Sequence, residues 1–343
     1  MVSKYQLNPL PSPRECIGYP TPMVRNAPES EIDFLLKATL SPEKRGRRNS
    51  FRKIRGERQH TNTLACSLIT RESSFDFNEP ITSEQLTEQL TSAINTTKPV
   101  VVICHGFMSW RNQMLLYNLA SELSTALDAH VVRFDFTGNG HSNGEWKYAN
   151  YEQEHLDLCT IVDFIKSFLG CKVACIIGHS QGMASVLQYA ASVANDEKEG
   201  GYDDKCKYFV NLAGVYSIPG EIDPTKKLPP QQCTELKESG LCHITSFFGK
   251  KTFKITQDRI DFRKHYDSSQ HVKHLKGDSS SVHFLTIHGR EDTAVSVDNA
   301  NRFHREISNH SIHIIDGADH NFNGLRFIDR MVSEIKAFMN KRG

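Results

Sequence analysis

One turn constrains this chain more than any other feature. Gly178-His179-Ser180-Gln181-Gly182 follows directly on the apolar run Val173-Ala174-Cys175-Ile176-Ile177 and leads into helix-forming residues from Met183 to Ala190. Passing from a buried strand to a helix through so few residues needs glycine on both sides of the serine, because neighbouring side chains would collide. The same tightness lifts the serine hydroxyl clear of the sheet. Strand and helix patterns alternate on either side. Pro99 to Cys104 reads as a buried strand, Arg111 to Leu127 as helix, Val131 to Phe136 as strand, Tyr151 to Leu169 as helix and Tyr208 to Ala213 as strand. Such alternation predicts an α/β chain, with a mostly parallel twisted sheet and helices on both faces. Ligands of open sheets of this kind bind at the carboxyl ends of the strands.

Two later strands end in ionisable residues. His283 to His288 runs into Gly289-Arg290-Glu291-Asp292, and Ile312 to Ile315 runs into Asp316-Gly317-Ala318-Asp319-His320. A serine hydroxyl is a weak nucleophile until an imidazole takes its proton, and the imidazole needs a carboxylate to fix its tautomer and stabilise its cation. The order serine, acid, histidine assigns Ser180 as nucleophile, His320 as general base and then acid, and Asp292 as the orienting acid. On the residues alone, Glu291, Asp298 and Asp316 compete for the last role. His179 and His105 are expected to pack or hydrogen-bond rather than react, and Asp319 to shape the loop before His320.

Taken together, His105-Gly106-Phe107, the stretch Phe134 to Gly144, Gly178 to Gly182, Gly289 to Asp292 and Gly317 to Phe322 resemble the α/β-hydrolase superfamily. Within it, the chain is similar to the cinnamoyl/feruloyl-esterase-like and serine-aminopeptidase-like (monoglyceride-lipase-like) branch of serine hydrolases. The resemblance spans roughly residues 60 to 340 and implies an α/β-hydrolase fold with a small cap. It favours Asp292 through the pattern Gly-x-x-Asp and assigns the oxyanion hole to the backbone N–H groups of Phe107 and Gln181. The chain departs from many relatives at Met183, where they carry a further glycine. The implied chemistry is cleavage of a carboxylic ester, an acyl ester or a monoacylglycerol-like molecule, through an acyl-enzyme and without a cofactor. A thioesterase, acyltransferase or peptidase would use the same residues, and a non-catalytic binding protein could share the fold.

With 41 basic and 40 acidic residues the net charge is +1, so no global field draws the chain to nucleic acid. Its apolar runs fall far short of the roughly 20 residues a spanning helix needs, and the polar, proline-rich start carries no signal-peptide pattern. Nine cysteines cannot all pair, and several lie in apolar runs, which points to a reducing, cytoplasmic setting. Among the 16 histidines, His271 and His274 have a zinc-compatible spacing, but no ligand set is completed and no metal is expected. Nor is a phosphate-binding glycine pattern completed.

Residues 1–50, punctuated by prolines, are expected to form a flexible N-terminal extension. The basic arm 44–58 is a candidate for weak peripheral membrane contact. The hydrolase domain is expected over 51–343. A cap insertion at about 215–281, carrying Phe247, Phe248, Phe253, Phe262 and Tyr266, would shape the pocket for a small-molecule acyl substrate. The last helix, Gly324 to Asn340, has apolar residues at core-packing spacing.

Overall fold

The computed structural model describes residues 5–10, 31–38, 62–70, 81–198, 206–245, 251–277 and 281–340. In chain order its elements begin with β1 (Tyr5–Pro9), β2 (Glu31–Ala38), β3 (Thr63–Ile69), α1 (Ser83–Ala93), β4 (Val100–Cys104), α2 (Met114–Leu127), β5 (His130–Phe134) and α3 (Tyr151–Ser167). They continue with β6 (Val173–His179), α4 (Met183–Lys198), β7 (Tyr208–Leu212), α5 (Pro230–Ser239), β8 (Leu241–Thr245), β9 (Thr252–Thr256), α6 (Gln257–His265) and α7 (Ser269–Val272). The last are β10 (His283–Gly289), α8 (Asp298–Glu306), β11 (His310–Ile315) and α9 (Leu325–Asn340).

Nine strands form one sheet in the order β1-β2-β3-β5-β4-β6-β7-β10-β11. From β5 to β11 all neighbours run parallel, while β1, β2 and β3 add antiparallel strands at one edge. Period-two alternation sends each strand's side chains to opposite faces. On β4, Val100, Val102 and Cys104 join one core with Leu158, Ile161 and Phe164 of α3 and Val186 and Leu187 of α4. Val101 and Ile103 join the other, with Leu116, Leu119 and Leu123 of α2 and Ile328, Met331 and Ile335 of α9. Both faces of the strand are therefore dry, which is why Pro99 to Cys104 reads as an unbroken apolar run rather than an alternating one. Helix α1 starts from a capping box, in which Gln85 N–H donates to Thr82 Oγ1 at 3.2 Å and Thr82 N–H donates to Gln85 Oε1 at 2.8 Å.

The N-terminal segment corrects one expectation. Two pieces of the stretch 1–50, expected to be a flexible extension, are strands of the main sheet, since β1 pairs with β2 and β2 with β3. In β2 the residues Ile32, Phe34, Leu36 and Ala38 are buried and their neighbours mostly are not, an alternation the surrounding prolines obscured. Pro9 ends an edge strand, where a missing N–H breaks no ladder bond. The rest of 1–50 and the basic arm 44–58 lie outside the described residues.

Two buried arginines tie this edge to the rest. Arg111 Nη1 meets Asp135 Oδ2 at 2.6 Å, its Nε donates to Ser67 Oγ at 2.8 Å, and its Nη2 lies 3.5 Å from Asp33 Oδ1 of β2. Arg133 pairs with Glu31 of β2, donates to Asn112 Oδ1 at 2.5 Å and stacks over Tyr117. Between β7 and β10 the chain leaves the main sheet. There β8 and β9 form a separate antiparallel hairpin, packed with α5 and α6 around Leu236, Cys242, Ile255 and Ile260. Phe247 and Phe248 lie outside the described residues. All eight cysteines among the described residues are free thiols, Cys233 and Cys242 of this segment included. No described helix is long and apolar enough to cross a membrane.

Candidate active site

Strand β6 ends at His179, and the chain turns within Ser180–Gly182 before α4 begins. Ser180 sits at φ +52°, a left-handed conformation that costs a non-glycine residue free energy and persists only where the surroundings enforce it. The glycines make the turn possible. A Cβ on Gly182 would lie 2.4 Å from the His105 carbonyl oxygen, and one on Gly178 would lie 2.9 Å from Met183 Cα. Alanine at either position would collide with backbone, so the serine is held up by close packing beneath it. Met183 is itself buried against this turn.

The ends of β10 and β11 bring the other two residues to the serine. His320 Nε2 is 2.9 Å from Ser180 Oγ, and His320 Nδ1 is 2.7 Å from Asp292 Oδ2. Nδ1–H therefore donates to the carboxylate, leaving the Nε2 lone pair for the serine proton. Asp292 takes two further hydrogen bonds on Oδ1, from Ala294 N–H and Val295 N–H, each at 2.8 Å. Burial works to raise this carboxyl, but bonds from His288, His320 and Val295 N–H outweigh it and hold Asp292 well below the usual carboxylate range. The competing acids are elsewhere: Asp316 is exposed and paired with Arg290, and Asp298 faces Ser296. Asp319 accepts from Asn323 N–H at 3.0 Å and Asn323 Nδ2 at 2.7 Å, shaping the loop that carries His320.

Other histidines brace this arrangement. His179 Nε2–H donates to the His320 carbonyl oxygen at 3.0 Å, and burial, reinforced by the neighbouring His320, pushes its imidazole down to about 3. It is a neutral prop. His105 Nε2 accepts from Phe136 N–H at 3.0 Å while its Nδ1–H donates to Gly106 O at 2.8 Å, joining the loop after β4 to the loop after β5. That loop lies against the serine, since a Cβ on Gly106 would be 3.0 Å from Ser180 Cβ. It is also tied to the histidine loop, because Gln113 Nε2 donates to Asn321 Oδ1 at 3.0 Å. Phe107 and Gln181 follow these contact points directly in sequence.

Two residues escaped the sequence reading. His288, which stands in the sequence only as the end of a strand, is fully buried with Nε2 2.9 Å from Val295 O and 3.2 Å from Asp292 Oδ2. Facing two acceptors, Nε2 carries the proton and supports Asp292 from behind. The only signal in the sequence was its position at the end of a strand, four residues before the acid. Glu154, in the first turn of α3, accepts from Gln181 Nε2 at 2.7 Å. Nothing in the sequence connects the two, because 27 residues and an entire strand separate them.

Aromatic rings from three segments line up beside Phe107. Its ring centroid is 6.0 Å from Trp146 and 5.6 Å from Tyr148, and Trp146 is 4.7 Å from Phe253 of β9. Arg259 of α6 donates to the carbonyl oxygens of Tyr148 and Ala149, and Lys251 Nζ to Gly138 O at 3.1 Å. These bonds seat the hairpin segment on the loop that follows β5. Among the described residues no group of three or more histidine, cysteine or acidic side chains is arranged to hold a metal ion.

Comparison with known proteins agrees with this architecture. The sequence profile of the alpha/beta hydrolase fold matches residues 99–234. No curated protein matches the sequence. Among solved structures, Est1E from Butyrivibrio proteoclasticus with ferulic acid bound superposes with a TM-score of 0.56 at 19% identity, over 82% of this chain and 96% of that one. Alpha/beta hydrolase domain-containing protein 10 from mouse gives 0.54 at 17% identity, over 84% and 98%. The esterase Pf2001 of Pyrococcus furiosus gives 0.51 at 17%, over 82% and 88%. At these identities the likeness speaks for the fold. On these superpositions and the profile match over residues 99–234, the chain has the alpha/beta hydrolase fold.

Proposed function

We propose that this protein is a serine hydrolase that cleaves a carboxylic ester through an acyl-enzyme. One observation carries the reading: the unbroken series Ser180 Oγ, His320 Nε2, His320 Nδ1 and Asp292 Oδ2 at 2.9 and 2.7 Å. In the proposed cycle His320 takes the serine proton as Oγ attacks the ester carbonyl. The Phe107 and Gln181 amides stabilise the oxyanion, each worth about 100- to 1,000-fold in rate. The imidazolium, steadied by Asp292, then protonates the leaving alkoxide. Water repeats the sequence in reverse, with its proton passing to His320, and frees the carboxylic acid. Neither step calls for a cofactor.

The ring series Phe107, Trp146, Tyr148 and Phe253 supports a substrate with a flat or apolar acyl group. Rings at these separations present faces and edges on which an aryl or unsaturated chain packs well. The ferulic acid complex of Est1E, a structure of the same fold, favours the aryl case. The test is a panel of p-nitrophenyl and aryl-acyl esters with a fluorophosphonate label, run on the wild type and Ser180→Ala together. Turnover is expected to fall at least about a thousand-fold in the variant, with labelling abolished and the thermal transition retained. Labelling of Ser180→Ala at the wild-type rate would overturn the reading.

A further inference from the structure

Glu154 is an acid in an unusual place. It is 7% exposed, its Oε1 accepts from Gln181 Nε2 at 2.7 Å, and its Oε2 is buried without a hydrogen-bond partner. Gln181 follows the strained Ser180, and in the proposed reaction its backbone N–H points at the developing oxyanion. A side chain anchored at its far end restricts the torsions of its own backbone, so the bond to Glu154 helps aim that N–H. The ionised and neutral forms of Glu154 differ in what else they do. Either form offers a carbonyl-type oxygen to Gln181, but the ionised form sets a fixed negative charge beside the oxygen that becomes negative in the transition state. That repulsion works directly against the oxyanion hole.

We propose that Glu154 is a positioning residue that works in its neutral form, holding the Gln181 side chain, and through it the oxyanion-binding amide, without adding negative charge beside the oxyanion. This rests on the serine-hydrolase reading above. The surroundings favour the neutral acid. Burial is the dominant influence and pushes the carboxyl up to about 8; the bond from Gln181 lowers it, Asp157 raises it and Arg259 lowers it. The groups facing it come from three elements and from the residue that follows α6. On α3 itself are Asp157, committed to Thr137 N–H at 2.7 Å and Thr137 Oγ1 at 3.0 Å, and the buried Tyr151, a phenol raised well above its usual range. At the end of β4 is Cys104, a thiol kept neutral by burial. From α6 comes Arg259, committed to the carbonyls of Tyr148 and Ala149, and farther off Arg263, bonded to Ser217. Just past α6 is Tyr266, also raised by burial, whose hydroxyl lies 3.5 Å from Gln188 Nε2. Arg259, the nearer cation, thus acts on Glu154 only through its charge and gives its hydrogen bonds to backbone oxygens, while Glu154 Oε2 has no partner.

The experiment measures kcat and KM for p-nitrophenyl butyrate from pH 6 to 9.5 in the wild type, Glu154→Gln and Glu154→Leu. The wild-type kcat is expected to fall about fifteenfold between pH 8 and 9.5, the loss set by ionisation about a unit and a half beyond the midpoint, with KM changed by less than about twofold. Glu154→Gln keeps an acceptor for Gln181 but cannot ionise, so its ratio of kcat at pH 9.5 to kcat at pH 7.5 should stay within about twofold of one. Glu154→Leu loses the anchor and should be slower by roughly tenfold at every pH. Stability gives a second reading. A carboxyl whose folded-state pKa is raised costs the wild type stability as pH climbs from the ordinary carboxylate range through about 8. The Tm advantage of Glu154→Gln should therefore widen from pH 5 to 9. If Glu154→Gln does not fold, the infrared carbonyl band of a buried protonated carboxyl in the wild type, present at pH 7 and lost by pH 9.5, replaces it. An alkaline fall that persists in Glu154→Gln, wild-type kcat in Glu154→Leu, or no protonated-carboxyl band at pH 7 overturns the proposal. The serine-hydrolase reading fails separately, on Ser180→Ala.

Discussion

Asp292 and Asp135 are built alike and serve opposite ends. Each is a buried carboxylate just beyond a strand, each takes two backbone N–H groups, and each is held below the usual carboxylate range against the opposing push of burial. They differ in the partner. Asp135 grips Arg111, whose side chain is fully buried, whereas Asp292 grips His320, whose side chain is 19% exposed. A guanidinium never gives up its proton at ordinary pH, so the first pair can only fasten the loop after β4 to the sheet. An imidazole can take a proton on one ring nitrogen while the other keeps its own, so in the proposed reaction the second pair passes a proton between Ser180 and a leaving group. The same carboxylate cradle makes a clamp with arginine and, in that reaction, a relay with histidine.

That contrast can be broken most forcefully at the relay. Asp292→Asn should lower kcat by about 10⁴, since an amide in place of the carboxylate admits the wrong histidine tautomer, while thermal unfolding shifts only modestly. A kcat within tenfold of wild type would move the acid's role elsewhere. The clamp should show the reverse pattern. Arg111→Met leaves Asp135 and Asp33 buried without their cation, a loss of about 3–5 kcal/mol of stability, read by urea unfolding. If Arg111→Met instead kept wild-type stability and lost activity to the same degree as Asp292→Asn, the two pairs would not differ in kind.

A smaller effect belongs to four histidines that are largely shielded from water. His179 and His310 are pushed down to about 3, and His155 and His271 to about 4, in each case chiefly by burial. Their folded-state values lie below the ordinary 6.5. The unfolded chain therefore binds protons first, and stability present above pH 6.5 is lost as pH falls toward 4. Each contributes at most about 1.4 kcal/mol per pH unit. Tm measured from pH 7 to 4 should fall steadily, and a flat profile across that window would mean these imidazoles are not buried neutral.

Much of this was legible because it is local. The turn at 178–182 is set by steric demands within five residues, and the strands at 99–104 and 173–177 announce themselves by continuous apolar runs. The acid and base stand directly past strand ends, where the chain order alone pairs them with the serine. The N-terminal strands were missed for a physical reason: β2 alternates correctly, but its partner strand, and the buried arginines at 111 and 133 that neutralise Asp33 and Glu31, lie far along the chain. His288 and Glu154 were missed for the same reason, since their roles depend on which backbone or amide they meet across the fold.

By itself, then, the sequence determined the parallel α/β framework, the serine turn and the order of serine, acid and histidine, because periodicity and tight-turn sterics act between near neighbours. Only the tertiary structure decided which carboxylate is coupled to an imidazole and which to a permanent cation, and that the Glu154 carboxyl is buried with one oxygen unpartnered. Those outcomes depend on desolvation and on hydrogen bonds between distant segments, and neither exists until the sheet has brought the strand ends together.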